Sequence, residues 1–399
     1  MPNEHDAVIT GIGLVSSLGE GGAAHLAAVS GDGFRPVIDA ERFPPFPLHP
    51  LPPIAFDRQI PKRGDLRQME TWQRLGTYAA GLALDQAGVT GQGALLERME
   101  MIVAAGGGER DPAADAAILT DLRGAADPET LLNQRLLSDL RPTLFLAQLS
   151  NLLAGNISIV HGVVGGSRSF MGEEPAGADA VRVAVARIAS GQGDLFLVGG
   201  AFAPARPEVL LHYEMGGVLW KQPWAPIWAR QAGGGGPGGG MALGTLGCFL
   251  VIESRGHAAA RGAAPVAAIG SVATDRCRRR PGEATANAAR QLAALGGRFD
   301  PATTAVISGA SGLAAPTAEE RDWLAGLGLP VRAAGTVFGH GMEPAFPAAV
   351  ALAALAVQDG RLFPPLEPAE APMAAPLRQA LVTGWGHWRG EALGLVSAA

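Results

Sequence analysis

Two glutamates stand where a helix begins. Residues 170–179 read FMGEEPAGAD, with Glu173 and Glu174 directly before Pro175. Acidic residues suit the first turn of a helix and proline suits its first position, so capping alone accounts for these residue types. A carboxylate in that place is also chemically competent, as a nucleophile or as a general base. His340, in FGHG, is a group that can pair with a carboxylate, and the plainer form of that pair is a buried ion pair or hydrogen bond. Trp385, His387, Trp388 and Arg389 fall together in GWGHWRG and read first as pocket fillers. Thiol chemistry has little to draw on. Cys248 lies in the apolar run CFLVIE and reads as packed core, Cys277 lies among arginines, and neither has metal-ligand spacing.

Composition narrows the setting. The chain has 399 residues, 48% hydrophobic and 17% charged, with a formal net charge of −6. This is enough chain for a large core, in two or three domains or in one duplicated unit. Charge is low and glycine and proline are abundant, which describes a dense α/β protein with many short loops. The most basic stretch, RCRRR at 276–280, reads as a solvated loop, and nothing points to nucleic acid. Two cysteines fit a reducing compartment. The N-terminus has no basic segment followed by an apolar core, and the longest apolar run, Phe346 to Val357, is too short to span a bilayer. A cytoplasmic protein is expected. Gly11 and Gly13 resemble the start of a dinucleotide loop, but Ser16 takes the third glycine's place.

The elements that must position these residues follow from periodicity. AVITGIGLVSSLGEG (7–21) is β-rich, and residues 35–65 form a proline-rich excursion. METWQRLGTYAAGLALDQAG (69–88) has helical periodicity, and MEMIVAAGGG (99–108) is a buried strand. Residues 140–162 read as a helix ending near Gly155, then a short strand. PAGADAVRVAVARIASGQ (175–192) is a helix apolar on most sides, followed by the strand DLFLVGGAF (194–202). The glycine tract at 233–240 reads as a flexible loop before a strand and helix. The second half repeats the grammar with the strand TAVISGAS, the buried helix EPAFPAAVALAALAVQDG and the strand pair QALVTGWGHWRGEALGLVS. A strand–turn–buried-helix unit in each half suggests a pseudo-duplicated α/β fold.

In order and spacing these segments resemble the β-ketoacyl-ACP synthases of the thiolase superfamily over nearly the whole chain. VITGIGLVSSLG resembles that family's opening strand, and LSNLLAGNISIVHGVVGG the approach to its nucleophile. GADAVRVAVARIASGQGDLFLVGGAF resembles the nucleophile helix and next strand, in register through Gly177, Gly191, Asp194, Gly199 and Gly200. FGHGMEPAFPAAVALAALAVQDG resembles the Gly-His motif and its helix. The resemblance implies a thiolase-like five-layered αβαβα fold of two pseudo-duplicated halves, taken as 1–255 and 256–399. It also implies dimerisation through a strand of each N-terminal half. The implied substrate is an acyl group on the phosphopantetheine of an acyl carrier protein, with no other cofactor and no metal.

Carried over residue by residue, the resemblance marks departures at each working position. The nucleophilic cysteine falls on Glu174. A carboxylate there would give a labile mixed anhydride with an acyl chain, so acyl transfer should fail. The first catalytic histidine falls on Ser308, in ISGASG, while the second survives as His340. The lysine five residues before the second histidine is Gly335. The gating phenylalanine falls on His387, and Trp388 and Arg389 replace glycines, so they must fill the space or re-aim the loop. Met241 and Trp385 complete the expected acyl-pocket and gating set.

This pattern looks like the chain-length-factor class, whose members pair with an active ketosynthase in fatty acid or lipid biosynthesis. IPKRGDLRQME, RPTLFLAQLSNLLAGNISIV and FMGEEPAG resemble the degenerate companion synthase of α-proteobacterial very-long-chain fatty acid (lipid A) clusters. The expected partners are an acyl carrier protein and either a second copy or an active ketosynthase. The alternative is an autonomous acyl-ACP or malonyl-ACP enzyme, a decarboxylase or hydrolase using Glu174 and His340.

Overall fold

A computed structural model describes residues 3–31, 33–140, 146, 148–232, 238–296 and 299–399. Most of the glycine tract and much of the segment before Leu152 lie outside these residues, so the flexible loop expected at 233–240 is described only from Gly238 onward.

One mixed sheet organises the chain. Its strands are β1 (Ala7–Ser16), β2 (Gly19–Glu20), β3 (Glu100–Ala104), β4 (Ser167–Phe170), β5 (Leu195–Phe202), β6 (Leu246–Ser254), β7 (Ala267–Asp275), β8 (Thr304–Ser308), β9 (Val331–Ala333), β10 (Gln379–Trp385) and β11 (Glu391–Ser397). The spatial order is β4-β3-β5-β6-β1-β7-β11-β10-β8-β9, with the short β2 paired on β1. The order is a palindrome about the β1–β7 pair, where Ala7–Ile9 meet Ala267–Ile269. On each side the two outer pairings are parallel and the inner ones antiparallel. The N-terminal sequence β1, β3, β4, β5, β6 therefore has the same topology as β7, β8, β9, β10, β11, as a duplicated unit requires.

The central helices, Glu174–Ala189 and Ala345–Asp359, occupy equivalent places in the two halves, after β4 and after β9. They pack on each other and on strands of both halves, and the main apolar cluster runs through all of them. The second helix buries every residue from Phe346 to Val357, which its alanine-rich sequence allows. Separate clusters lie outside. Thr71–Gln86 and Leu152–His161 cover one half, and Ala314–Ala325 covers part of the other. Outer helices, one half of the sheet, central helices, the other half of the sheet and outer helices make the five layers expected from the sequence.

Gly11 and Gly13 lie inside β1, where the helix Thr71–Gln86 crosses it. A Cβ on Gly13 would sit 1.8 Å from the Ala79 carbonyl oxygen, and one on Gly11 would sit 2.2 Å from that of Ala83. Their spacing, which mimics a dinucleotide loop, follows from this close approach. One expected element is corrected. Residues 156–159 are not a strand after a helix end at Gly155; Leu152–His161 is one helix, ending at the left-handed Gly162. Leu153, Ala154 and Ile157 bury against the Thr71–Gln86 helix, so packing overrides the β-branched residues' local preference. The strand of this region is β4, whose sequence SRSF is polar and exposed because it forms the sheet edge.

Gly13→Ala should destabilise the fold by about 3 kcal/mol or prevent folding, since backbone blocks the new methyl. Urea unfolding followed by circular dichroism checks this, with Gly93→Ala, where a Cβ meets nothing within 4 Å, as the tolerated comparison.

Candidate functional site

The site forms where the N-termini of the two central helices meet. Glu173 turns the chain with φ 60° and ψ −139°, a sparsely populated conformation for a non-glycine residue. That turn places Glu174 in the first helical position, before Pro175. Gly177, one turn on, is needed for the meeting itself: a Cβ there would lie 2.0 Å from the Glu343 carbonyl oxygen, just before the second central helix.

Glu174 is 6% exposed, and one of its oxygens gathers three donors. His340 Nε2 lies 2.6 Å from Oε1, His387 Nδ1 lies 2.9 Å from it, and the His387 backbone N–H donates to it at 2.9 Å. The other oxygen, Oε2, is buried without a hydrogen-bond partner. Burial alone would raise the Glu174 carboxyl, but the hydrogen bonds and charges of His340 and His387 outweigh it and hold the group well below the usual carboxylate range. Burial would likewise lower His387, yet Glu174 and Glu173 raise it. The pair is best described as an ion pair set at two positive helix ends, where an anion is favoured.

A second ring surrounds this core. Tyr213 Oη donates to Glu173 Oε1 at 3.3 Å, and Trp388 Nε1 donates to Glu173 Oε2 at 2.7 Å. Glu343 is pushed up to about 7, chiefly by burial, with the Glu173 and Glu174 charges acting in the same direction. A cavity of about 370 Å³ opens beside Glu173, walled by Gly106–Gly108, Ala203, Val209, Tyr213 and Glu343. A cavity of about 230 Å³ lies on the other side, between Glu174, Pro175, Asp179, Thr274 and the start of β11.

The expected residues part company in the structure. Glu174, His340 and His387 come together. Ser308 does not join them: its hydroxyl donates to Glu320 Oε1 at 2.8 Å, and Thr383 holds the same carboxyl. Burial pushes Glu320 up to about 7 against those hydrogen bonds. Trp385 is no part of the pocket. Strand alternation turns it away from the Gly384 side and onto Trp323, 5.8 Å between ring centroids, in an outer cluster with Ala284 and Ala288. Met241 is buried in a cluster with Tyr213, Met342 and Leu243, and is absent from the walls of both cavities. Trp388 and Arg389 stay at the surface rather than fill the space. Trp388 is 51% exposed, with the Arg389 guanidinium stacked 3.9 Å from its ring centroid.

The arginine cluster also needs correction as a purely solvated loop. Arg279 is inserted, 2.7 Å from buried Glu391 and donating at 2.8 Å to the Gly386 carbonyl, so it braces the His387 loop. Its role left no local signal. Glu343 and Tyr213 were missed too; the carboxyl three residues after His340, in an otherwise apolar segment, was the available hint. Cys248 is fully buried in β6, as expected of a core residue.

Glu174→Ala should cost about 3–5 kcal/mol, the range for leaving a buried partner uncompensated, measured by urea unfolding. Glu320 gives a separate pH signature. Between about pH 4.3, the unfolded carboxyl's pKa, and about 7, the folded chain keeps a proton that the unfolded chain has released. Stability therefore falls as pH rises through that window, at most about 1.4 kcal/mol per unit for one group, and levels above it. Glu320→Gln should reduce the slope of unfolding free energy against pH by one proton, leaving the parts due to Glu343 and Glu367, each also near 7.

Residues 54–247 match the family model described as Beta-ketoacyl synthase, N-terminal domain. Nodulation protein E of Rhizobium leguminosarum bv. trifolii is 29% identical over 274 residues, 66% of this chain. The match spans 62% of that relative, less than two thirds of its length. Among solved structures, the ishigamide ketosynthase/chain length factor matches with a TM-score of 0.79 at 21% identity over 99% of both chains. A β-ketoacyl synthase from Burkholderia phymatum gives 0.76 at 18% identity, again over 99% of both. A chain of a type II polyketide acyl-carrier protein in complex with its ketosynthase gives 0.74 at 16% identity over 100% of both. At these identities the structures speak for the fold, and no described helix is long and apolar enough to cross a membrane. Residues 54–247 thus resemble the N-terminal domain of β-ketoacyl synthases, and the chain as a whole shares the fold of these solved structures.

Proposed function

We propose that the chain is a non-condensing, chain-length-factor-like companion of an active ketosynthase, working on acyl groups held by an acyl carrier protein. One observation carries the reading. The helix start that should present a thiolate holds Glu174, whose carboxylate is occupied by His340, by His387 and by a backbone N–H. A nucleophile for thioester exchange must be free to attack and must yield a stable acyl intermediate. One oxygen of this group is taken, and an acyl group on the other would be a labile mixed anhydride, so it yields no stable intermediate. The histidine that would assist decarboxylation is Ser308, engaged by Glu320.

Further features support the partners. One fold relative is described as a ketosynthase/chain length factor, and another as a ketosynthase complexed with its acyl-carrier protein. β4 ends the sheet as an exposed edge, and Met171 beyond it is 64% exposed, a surface suited to a second ketosynthase-fold chain. The division at residue 255 and a partner from very-long-chain fatty acid synthesis belong to the same proposal and rest on the sequence resemblance, and a cytoplasmic setting rests on the cysteine usage. An autonomous hydrolase or decarboxylase is disfavoured, because a carboxylate held well below its usual range is a weak base.

The test is condensation with malonyl-ACP. The lone chain should form no carbon–carbon bond. Glu174→Cys should not restore it, because the missing donor at Ser308 costs about 2.7–4 kcal/mol by analogy with an oxyanion-hole deletion. Mixed with an active ketosynthase of the same source, the chain should form a stable heterodimer, and Val209→Phe, narrowing the cavity beside Glu173, should shorten the product. Condensation by the lone wild-type chain would overturn the reading.

A further inference from the structure

We propose that Glu174, His340 and His387 form a binding site for one divalent transition-metal ion of the Zn²⁺ class. Their ligating atoms all lie within 4.8 Å of one another, and all three residues are buried. Two imidazoles and one carboxylate are a borderline donor set, suited to Zn²⁺ or Fe²⁺ rather than to Mg²⁺ or Ca²⁺. Three protein ligands leave a fourth position open.

The geometry is close to what an ion needs. The imidazole nitrogens stand 2.6 and 2.9 Å from Glu174 Oε1. Ligand atoms about 2.0–2.1 Å from a tetrahedral Zn²⁺ lie about 3.3 Å apart. The nitrogen–oxygen contacts must therefore open by about 0.7 and 0.4 Å as the ion replaces the bridging protons, which leave to solvent. Glu174 Oε2, buried and without a partner, adds a second donor on the same carboxylate.

The surroundings supply an outer shell and the right charge. His387 Nε2, the nitrogen facing away from Glu174, lies 3.9 Å from Glu173 Oε1. At that distance Glu173 is a charged neighbour of the ring, and a small approach would make it the outer-shell hydrogen-bond partner that ligating histidines use. Glu173 is itself held by Tyr213 and Trp388. With Glu343, three carboxyls cluster around a space that suits a cation. The frame is braced: the His340 backbone N–H donates to Ala242 at 2.8 Å, and Gly386 N–H donates to Gly390 at 3.0 Å across the His387 loop. The cavity of about 230 Å³ that Glu174 lines gives a way in. No motif could announce this site, because the two histidines lie 166 and 213 residues from Glu174.

The site is independent of the companion-subunit reading, since its test reads metal rather than condensation. Full-length protein, stripped with a chelator, is titrated with Zn²⁺, and bound metal is counted by mass spectrometry after desalting. We expect one equivalent in the wild type and in the surface variant His5→Ala. Glu174→Gln, His340→Ala and His387→Ala should each weaken binding by more than the roughly 10–100-fold lost with an outer-shell partner. Mg²⁺ should not compete. Co²⁺-loaded wild type should show visible ligand-field bands, and the zinc X-ray absorption edge should fit two imidazoles and oxygen donors. The absorption measurements need no variant, so they decide the matter even if a variant fails to fold. No stoichiometric binding by the wild type, binding unchanged in all three variants, or a ligand set without imidazole would overturn the proposal.

Discussion

One carboxylate oxygen, Glu174 Oε1, receives two imidazoles and a backbone N–H from segments far apart in the chain. It does so at the paired N-termini of the two central helices, where the backbone dipoles favour negative charge. The surrounding structure conforms to this meeting. Glu173 adopts a strained turn to deliver Glu174, and Gly177 lets the backbone before the second helix come within reach. The loop 386–390 closes on itself so that His387 points inward. Remove the carboxylate and two buried imidazoles lose the acceptor that they share.

The duplicated topology explains why the site lies there. Each half places its buried helix after the equivalent strand, so a two-fold arrangement brings the two helix starts together. The halves have diverged in what they contribute. One supplies Glu173 and Glu174, and the other supplies His340, Glu343 and the His387 loop. A thiolate at this place would gain from the same dipoles. A carboxylate gains as well, but one of its oxygens is taken by the histidines and an acyl group on the other would be a labile mixed anhydride. The same electrostatic frame can thus hold an anion for shape, for catalysis or for a cation.

The helices and strands of the core were legible because periodicity reports burial directly: Phe346–Val357 is apolar throughout and is buried throughout. Errors arose where local preference and packing disagree. Ile157 and its neighbours have strand-forming side chains, yet the Thr71–Gln86 helix offers them a groove that only a helix can fill. β4 is polar because it is an edge, so it carried no hydrophobic signature. Within GWGHWRG, neighbours in sequence part company in space: Trp385 follows the strand's alternation to the outer layer, His387 turns in, and Trp388 turns out. Arg279 passed as one of several solvated arginines because its partner, Glu391, lies over a hundred residues away.

The sequence by itself determined the duplicated α/β plan, the buried central helices and the presence of a carboxylate at the helix start. These are local or periodic features, and they follow from covalent neighbours and from the spacing of apolar side chains. Only the tertiary structure decided what that carboxylate does. The choice of His340 and His387 as partners, the diversion of Ser308 to Glu320 and the seat of Glu173 under Trp388 are set by how the two halves of the sheet and the two central helices pack. Hydrogen bonds reach about 3 Å, and no linear pattern encodes which distant groups the fold will bring within that distance.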